Sequence, residues 1–140
     1  MVPINYLAVL LNVVIAMALG FLWYGPIFGK KWIASVGWTE AQVQEAMKKS
    51  MGKSYAPMAL SALIMSFVLS HSLIFASAYL GESGVPAGLM TGFWNWIGFV
   101  APVLVGAVVW EGKSWAWWCI TSGYYLVLLC LMGIVLALWA

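Results

Sequence analysis

His71, Asn12, Asn95, Tyr124 and Tyr125 are the side chains whose types and spacing suit proton handling or hydrogen-bonded recognition in an apolar setting. His71 is the single histidine and, tyrosine aside, the only ionisable group set deep within an apolar run. Such a residue is costly to place in lipid, which makes it a functional candidate by default: a proton shuttle, a metal ligand or a pH switch. At 1.5 Å per residue from the ends of their runs, His71 falls about 13 Å, Asn12 about 12 Å and Asn95 about 9 to 10 Å below one boundary. Tyr124 and Tyr125 fall roughly a turn further in. The expectation is a polar cluster at one depth in which a neutral His71 is enclosed by Asn12, Asn95 and a tyrosine. A lone histidine with no carboxylate or second histidine beside it is a poor metal site, so interhelical hydrogen bonding is its preferred assignment.

Other chemistry lacks its parts. The chain has no aspartate, and Glu40, Glu45, Glu82 and Glu111 all lie in connections, so no carboxylate pair for acid–base work forms inside an apolar run. Ser70 and Ser72 adjoin His71, but immediate neighbours on a helix do not face each other. Cys119 and Cys130 are eleven residues apart, about 16 Å along one helix, too far for a disulfide. No arginine occurs, which removes the residue best suited to bidentate phosphate and base recognition. No catalytic residue, metal, cofactor or nucleic-acid partner is expected.

The elements that must position the polar residues are four apolar runs, 4–24, 58–80, 89–110 and 115–137, each long enough to cross a hydrocarbon core of roughly 30 Å. With 140 residues, 65% hydrophobic and 7% charged, the chain leaves no room for a soluble domain beside them and reads as one transmembrane domain. The first run lacks a basic n-region and is too long for a secretory signal, so it reads as a retained span. Lys30, Lys31, Lys48, Lys49 and Lys53 lie between the first and second runs and Lys113 between the third and fourth, whereas the loop 81–88 holds only Glu82. Basic loops stay inside during insertion, so both lysine-bearing connections are expected in the cytoplasm, with Glu82 and both termini outside.

The first span is expected to stop at Gly25 and Pro26, with Gly29, Lys30, Lys31 and Trp32 forming an interfacial turn. A short amphipathic surface helix is expected at about 39–51, capped by Thr39 with Gln42 and stopped by Gly52. Trp23, Trp32, Trp110, Trp115, Trp117 and Trp118 are placed as anchors at one boundary, and Trp94, Trp96 and Trp139 at the other. Small or weakly polar residues recur at helical spacing in every span, among them Ala16, Gly20, Ser66, Ser70, Gly106, Gly123 and Gly133. Such stripes let helices approach closely where lipid supplies no hydrophobic drive to associate. Pro102 leaves the Gly98 carbonyl without its usual donor, which predicts a bend near Gly98.

The stretch LGFLWYGPIFGKKW at 19–32, with WIGFVAP at 96–102 and SGYYLVLLCLMGIVLALW at 122–139, resembles a family of small bacterial membrane proteins catalogued as domain of unknown function 1761. The likeness spans essentially the whole chain and is most specific at Trp23, Tyr24, Gly25, Pro26, Gly29, Lys30 and Trp32. It implies four spans and a bacterial origin, and it supplies no activity, ligand or catalytic residue; the expected location is the bacterial cytoplasmic (inner) membrane. The fold class is therefore an all-α membrane protein with four transmembrane helices and a surface helix between the first two. The functional expectation is a non-enzymatic bundle, surrounded by lipid, that self-associates or joins a larger membrane complex. The alternative is a small channel or carrier for a neutral or weakly polar solute, lined by the Asn/His/Tyr cluster.

Overall fold

The computed structural model describes residues 2–49 and 51–139. Four helical stretches are long and apolar enough to cross a membrane: Tyr6–Ile27, Gly52–Leu80, Gly84–Glu111 and Trp115–Leu138. They run antiparallel in succession, so the two lysine-bearing connections share one end of the bundle and the termini share the other. Ser114 Oγ donates to the Ser35 carbonyl at 3.1 Å at the first end, and Asn5 Nδ2 donates to the Trp139 carbonyl at 2.8 Å at the second.

The first span comprises α1 (Tyr6–Leu22) and a π-helical turn (Trp23–Ile27). Asn5 caps α1 by accepting from the Leu7 and Ala8 amides. The helix does not stop at Gly25 and Pro26. It widens there, with the Phe28 amide donating to the Trp23 carbonyl at 2.9 Å, and this wider turn accommodates the missing proline amide hydrogen. Instead of a simple turn, a helix α2 (Gly29–Val36) follows. Gly29 lies so close to the widened turn that a Cβ on it would sit 2.7 Å from the Tyr24 carbonyl oxygen, which explains why glycine follows the Trp-Tyr-Gly-Pro turn at that spacing.

The surface helix α3 (Glu40–Lys48) carries the capping box between Thr39 and Gln42. It ends at Lys49, whose backbone is extended, and Gly52 is not its stop: Gly52 sits in the first turn of α4 (Met51–Leu80). Ser50, within the expected surface-helix range, lies outside the described residues. Helix α4 thus starts seven residues before the apolar run does, and α5 (Gly84–Phe99) starts five before, leaving a loop of residues 81–83. Hydropathy marks the part of a helix that lipid touches, whereas backbone hydrogen bonding carries the helix on into the polar boundary. The third span is interrupted at Val100, two residues before Pro102, and resumes as α6 (Ala101–Glu111); α7 (Trp115–Leu138) is the fourth span, capped by Ser114.

Helix α7 is central: 44% of its most apolar window is buried, against 11% for the third span. Val9, Leu69, Leu73, Leu128, Met132 and Leu136 form the core where α1, α4 and α7 meet. Against α5 the approach of α7 is closest. A Cβ on Gly88 would strike the Gly133 backbone, one on Gly133 would strike Gly88, and one on Gly92 would lie 2.5 Å from the Leu129 carbonyl oxygen. Large apolar side chains such as Val14, Phe99 and Val103 point away from the protein, as suits surfaces solvated by acyl chains.

Candidate functional site

The expected cluster separates into three places. Asn12 is fully buried, and its Nδ2 donates to Ser66 Oγ at 2.9 Å and to the Met132 carbonyl at 3.2 Å, joining α1, α4 and α7. His71 is half-buried, and its Nδ1 pairs with the Phe67 carbonyl of its own helix at 2.9 Å, between the Phe67 and Phe75 rings. Asn95 likewise donates to the Thr91 carbonyl one turn back, at 2.9 Å, and lines a small cavity of about 140 Å³ with Ser72, Ser77 and Glu82. Register is the reason. Ser66 meets Asn12, so His71, five residues on, sits about 7 to 8 Å nearer the outer end of α4. Gly88 packs against Gly133, the residue after Met132, and Asn95 lies seven residues, about 10 Å, further along α5 from that contact. The depths coincide only when measured from the ends of the apolar runs. Helix α5 begins at Gly84, so Asn95 lies about 16 to 17 Å from its outer end, whereas α4 ends at Leu80 as the apolar run does.

Of the small-residue stripes, Ala16, Ser66, Ser70 and Gly133 are buried between helices. Gly20 faces the Tyr124 hydroxyl and Gly123 the Trp23 ring, each with 3.4 Å between a notional Cβ and the nearest atom. A Cβ on Gly98 or Gly106 would meet nothing within 4 Å beyond its own helical turn among the described residues. Three tryptophans do more than anchor. Trp23 Nε1 donates to the Ile120 carbonyl at 3.0 Å, Trp96 Nε1 to the Ser122 carbonyl at 2.9 Å, and Trp118 Nε1 to the Ala101 carbonyl at 3.0 Å beside the break in the third span. Each ties α7 to a neighbouring span. Trp96 is no boundary residue, because twelve residues separate it from the start of α5, about 18 Å. The Ala101 carbonyl at the break gains a donor, where the proline argument pointed to that of Gly98.

Tyr124 and Tyr125 belong to the lysine half of the bundle. The Tyr124 hydroxyl donates to the Ala16 carbonyl at 3.1 Å, and its ring lies 5.2 Å from that of Tyr24 and 5.1 Å from that of Tyr125, centroid to centroid. These rings form one wall of a cavity of about 630 Å³ between α1, α4 and α7, in the size range of small-molecule sites. Ala16, Gly20 and Phe21 form a second wall, Met58, Ala62 and Met65 a third, and Met47 of the surface helix reaches its rim. Tyr24 and Met47 also border a second cavity of about 460 Å³ beneath α3, walled by Trp32, Trp38 and Trp117. Thr121 lines it, 9% exposed, with its hydroxyl buried beside Tyr24. The sequence holds a signal for the first cavity in retrospect: the alanines and glycines at 16, 20, 25 and 62 leave space that the facing methionines only partly fill.

Among the described residues, no group of three or more His, Cys, Asp or Glu side chains gathers. Comparison with curated proteins and with solved structures yields no match. Over residues 7–137 the chain matches the family described as Protein of unknown function (DUF1761), and it belongs to that family.

Proposed function

We propose that this protein is non-enzymatic and acts by contact, as a helical bundle that self-associates in the membrane through its third span. The observation that carries this reading is the unequal use of glycine. Gly88, Gly92 and Gly133 are consumed in the α5–α7 seam, whereas Gly98 and Gly106 flank the break at Val100 with nothing among the described residues facing the place of a Cβ, on the least buried span. Exposed backbone at small residues is the surface on which membrane helices approach one another, because packing and weak hydrogen bonds replace the hydrophobic drive. The sequence supports the non-enzymatic part, since its carboxylates all lie in connections. The lysine distribution supports an orientation in the cytoplasmic membrane with α3 inside and both termini outside.

The test is the detergent-corrected mass in mild detergents and in nanodiscs. Dimers or trimers are expected, and Gly106→Leu should return them to single chains without unfolding the bundle. A single-chain mass for the parent in every medium refutes the reading. The channel alternative rested on a lining shared by Asn12, His71 and Asn95, and their hydrogen bonds lead to different partners.

A further inference from the structure

The geometry points to the tyrosine- and methionine-walled cavity as a binding site for one long-chain fatty acid, its chain between α1, α4 and α7 and its carboxylate at the lysine end. This site is independent of self-association, because the cavity lies on the opposite helices from Gly98 and Gly106.

Four observations converge on that occupant. The first is length. On α1 the cavity extends from Ala16 to Gly25, nine residues and about 14 Å, close to the thickness of one leaflet's hydrocarbon, about 15 Å. It therefore runs from mid-membrane to one boundary. Size is the second: about 630 Å³ suits a single small ligand and is too little for a two-chain phospholipid together with its head group. The walls are the third. Met17, Met47, Met58 and Met65 are half of the chain's eight methionines, and their unbranched, polarizable side chains adapt to a flexible apolar guest better than branched ones do. The tyrosine faces add apolar area without a charge.

Charge is the fourth. All six lysines lie at the end where the cavity meets the boundary, against Glu40, Glu45 and Glu111, which leaves that end three positive charges in excess. Two of the lysines are placed beside lining residues: Lys48 follows Met47 at the end of α3, and Lys53 stands two residues before Tyr55 in α4. Both are exposed. An anionic head is therefore favoured over a cationic one, and the ammonium groups suit it as point charges where no arginine fork exists. The lining itself contains no ionisable group other than tyrosine, so the charged head must remain outside the cavity while the chain enters. Helix α3, lying across the rim with Met47 turned to both cavities, is placed to cover the junction of chain and head.

The experiment uses the full chain in phosphatidylcholine nanodiscs with a palmitic acid bearing a photoreactive diazirine near its methyl end. Labelling should saturate at one molecule per chain and map to peptides covering 16–25 and 58–65. Unlabelled palmitic acid should compete, and hexadecanol, with the same chain and no charge, should compete at least tenfold less well. Ser61→Trp, which projects a large ring into the cavity from an exposed position, should reduce labelling at least tenfold, and K48Q with K53Q should weaken competition while leaving the labelled positions unchanged. The map on the parent protein stands whether or not the tryptophan variant folds. Labelling that never saturates and spreads over α6 would mean ordinary lipid contact and overturn the proposal. Equal competition by hexadecanol would overturn the anionic head.

Discussion

Replacing Asn12 by alanine should lower the stability of the bundle by about 1 kcal/mol, while the same replacement at His71 or Asn95 should change it by less than about 0.5 kcal/mol. Asn12 is fully buried and its amide donates two interhelical hydrogen bonds, at 2.9 and 3.2 Å. Such bonds average about 0.6 kcal/mol each in a membrane protein, because the separated helices also find partners. Two of them give about 1.2 kcal/mol. Asn12 Oδ1 is buried without a partner among the described residues, so removing it returns a little of that loss. His71 and Asn95 bond only to carbonyls one turn back in their own helices, and those carbonyls keep their backbone partners when the side chain goes. The assay is unfolding in mixed micelles of a mild detergent and dodecyl sulfate, followed by near-ultraviolet circular dichroism. A double-mutant cycle adds Ser66→Ala: Asn12 and Ser66 should couple by about 0.6 kcal/mol, and Asn12 and His71 not at all. Equal losses at Asn12 and His71, with coupling between them, would restore the single cluster and refute the register described here.

Gly92→Ala should destabilise by about 1 to 3 kcal/mol in the same assay, since the new methyl group forces α5 away from the Leu129 carbonyl, whereas Gly98→Ala should leave folding unchanged. The reverse order would mean that the break in the third span, and not the α5–α7 seam, is the tight contact. In a background lacking Cys119 and Cys130, cysteine at Ser83 should react with an impermeant thiol reagent in intact cells and cysteine at Lys48 should react only after permeabilisation. The opposite pattern would overturn the orientation derived from the lysines.

Periodicity and composition were sufficient for the architecture. Four apolar stretches and six lysines at one end dictate a four-span membrane protein, because lipid demands that each backbone segment satisfy its own hydrogen bonds as a helix. Thr39 with Gln42 was equally legible, since a capping box is a contact between residues three apart. What depends on the relation between helices was not. The sequence shows His71, Asn12 and Asn95 as polar residues in spans, but whether they meet depends on how far α5 continues past its apolar part and on how each helix slides along its neighbours. No residue count within one helix contains that offset. The Trp-Tyr-Gly-Pro stretch looked like a stop signal, and the π turn instead keeps the helix going while bringing Trp23 to the Ile120 carbonyl and Tyr24 to the rings of α7. Likewise, glycine at 88, 92, 98, 106 and 133 reads alike in sequence, and only the packed structure separates those pressed against a neighbouring backbone from those facing open space. Local hydrogen bonding and hydropathy act within a segment and are written there, whereas register, cavities and free surfaces are properties of pairs of segments and exist only once the helices have packed.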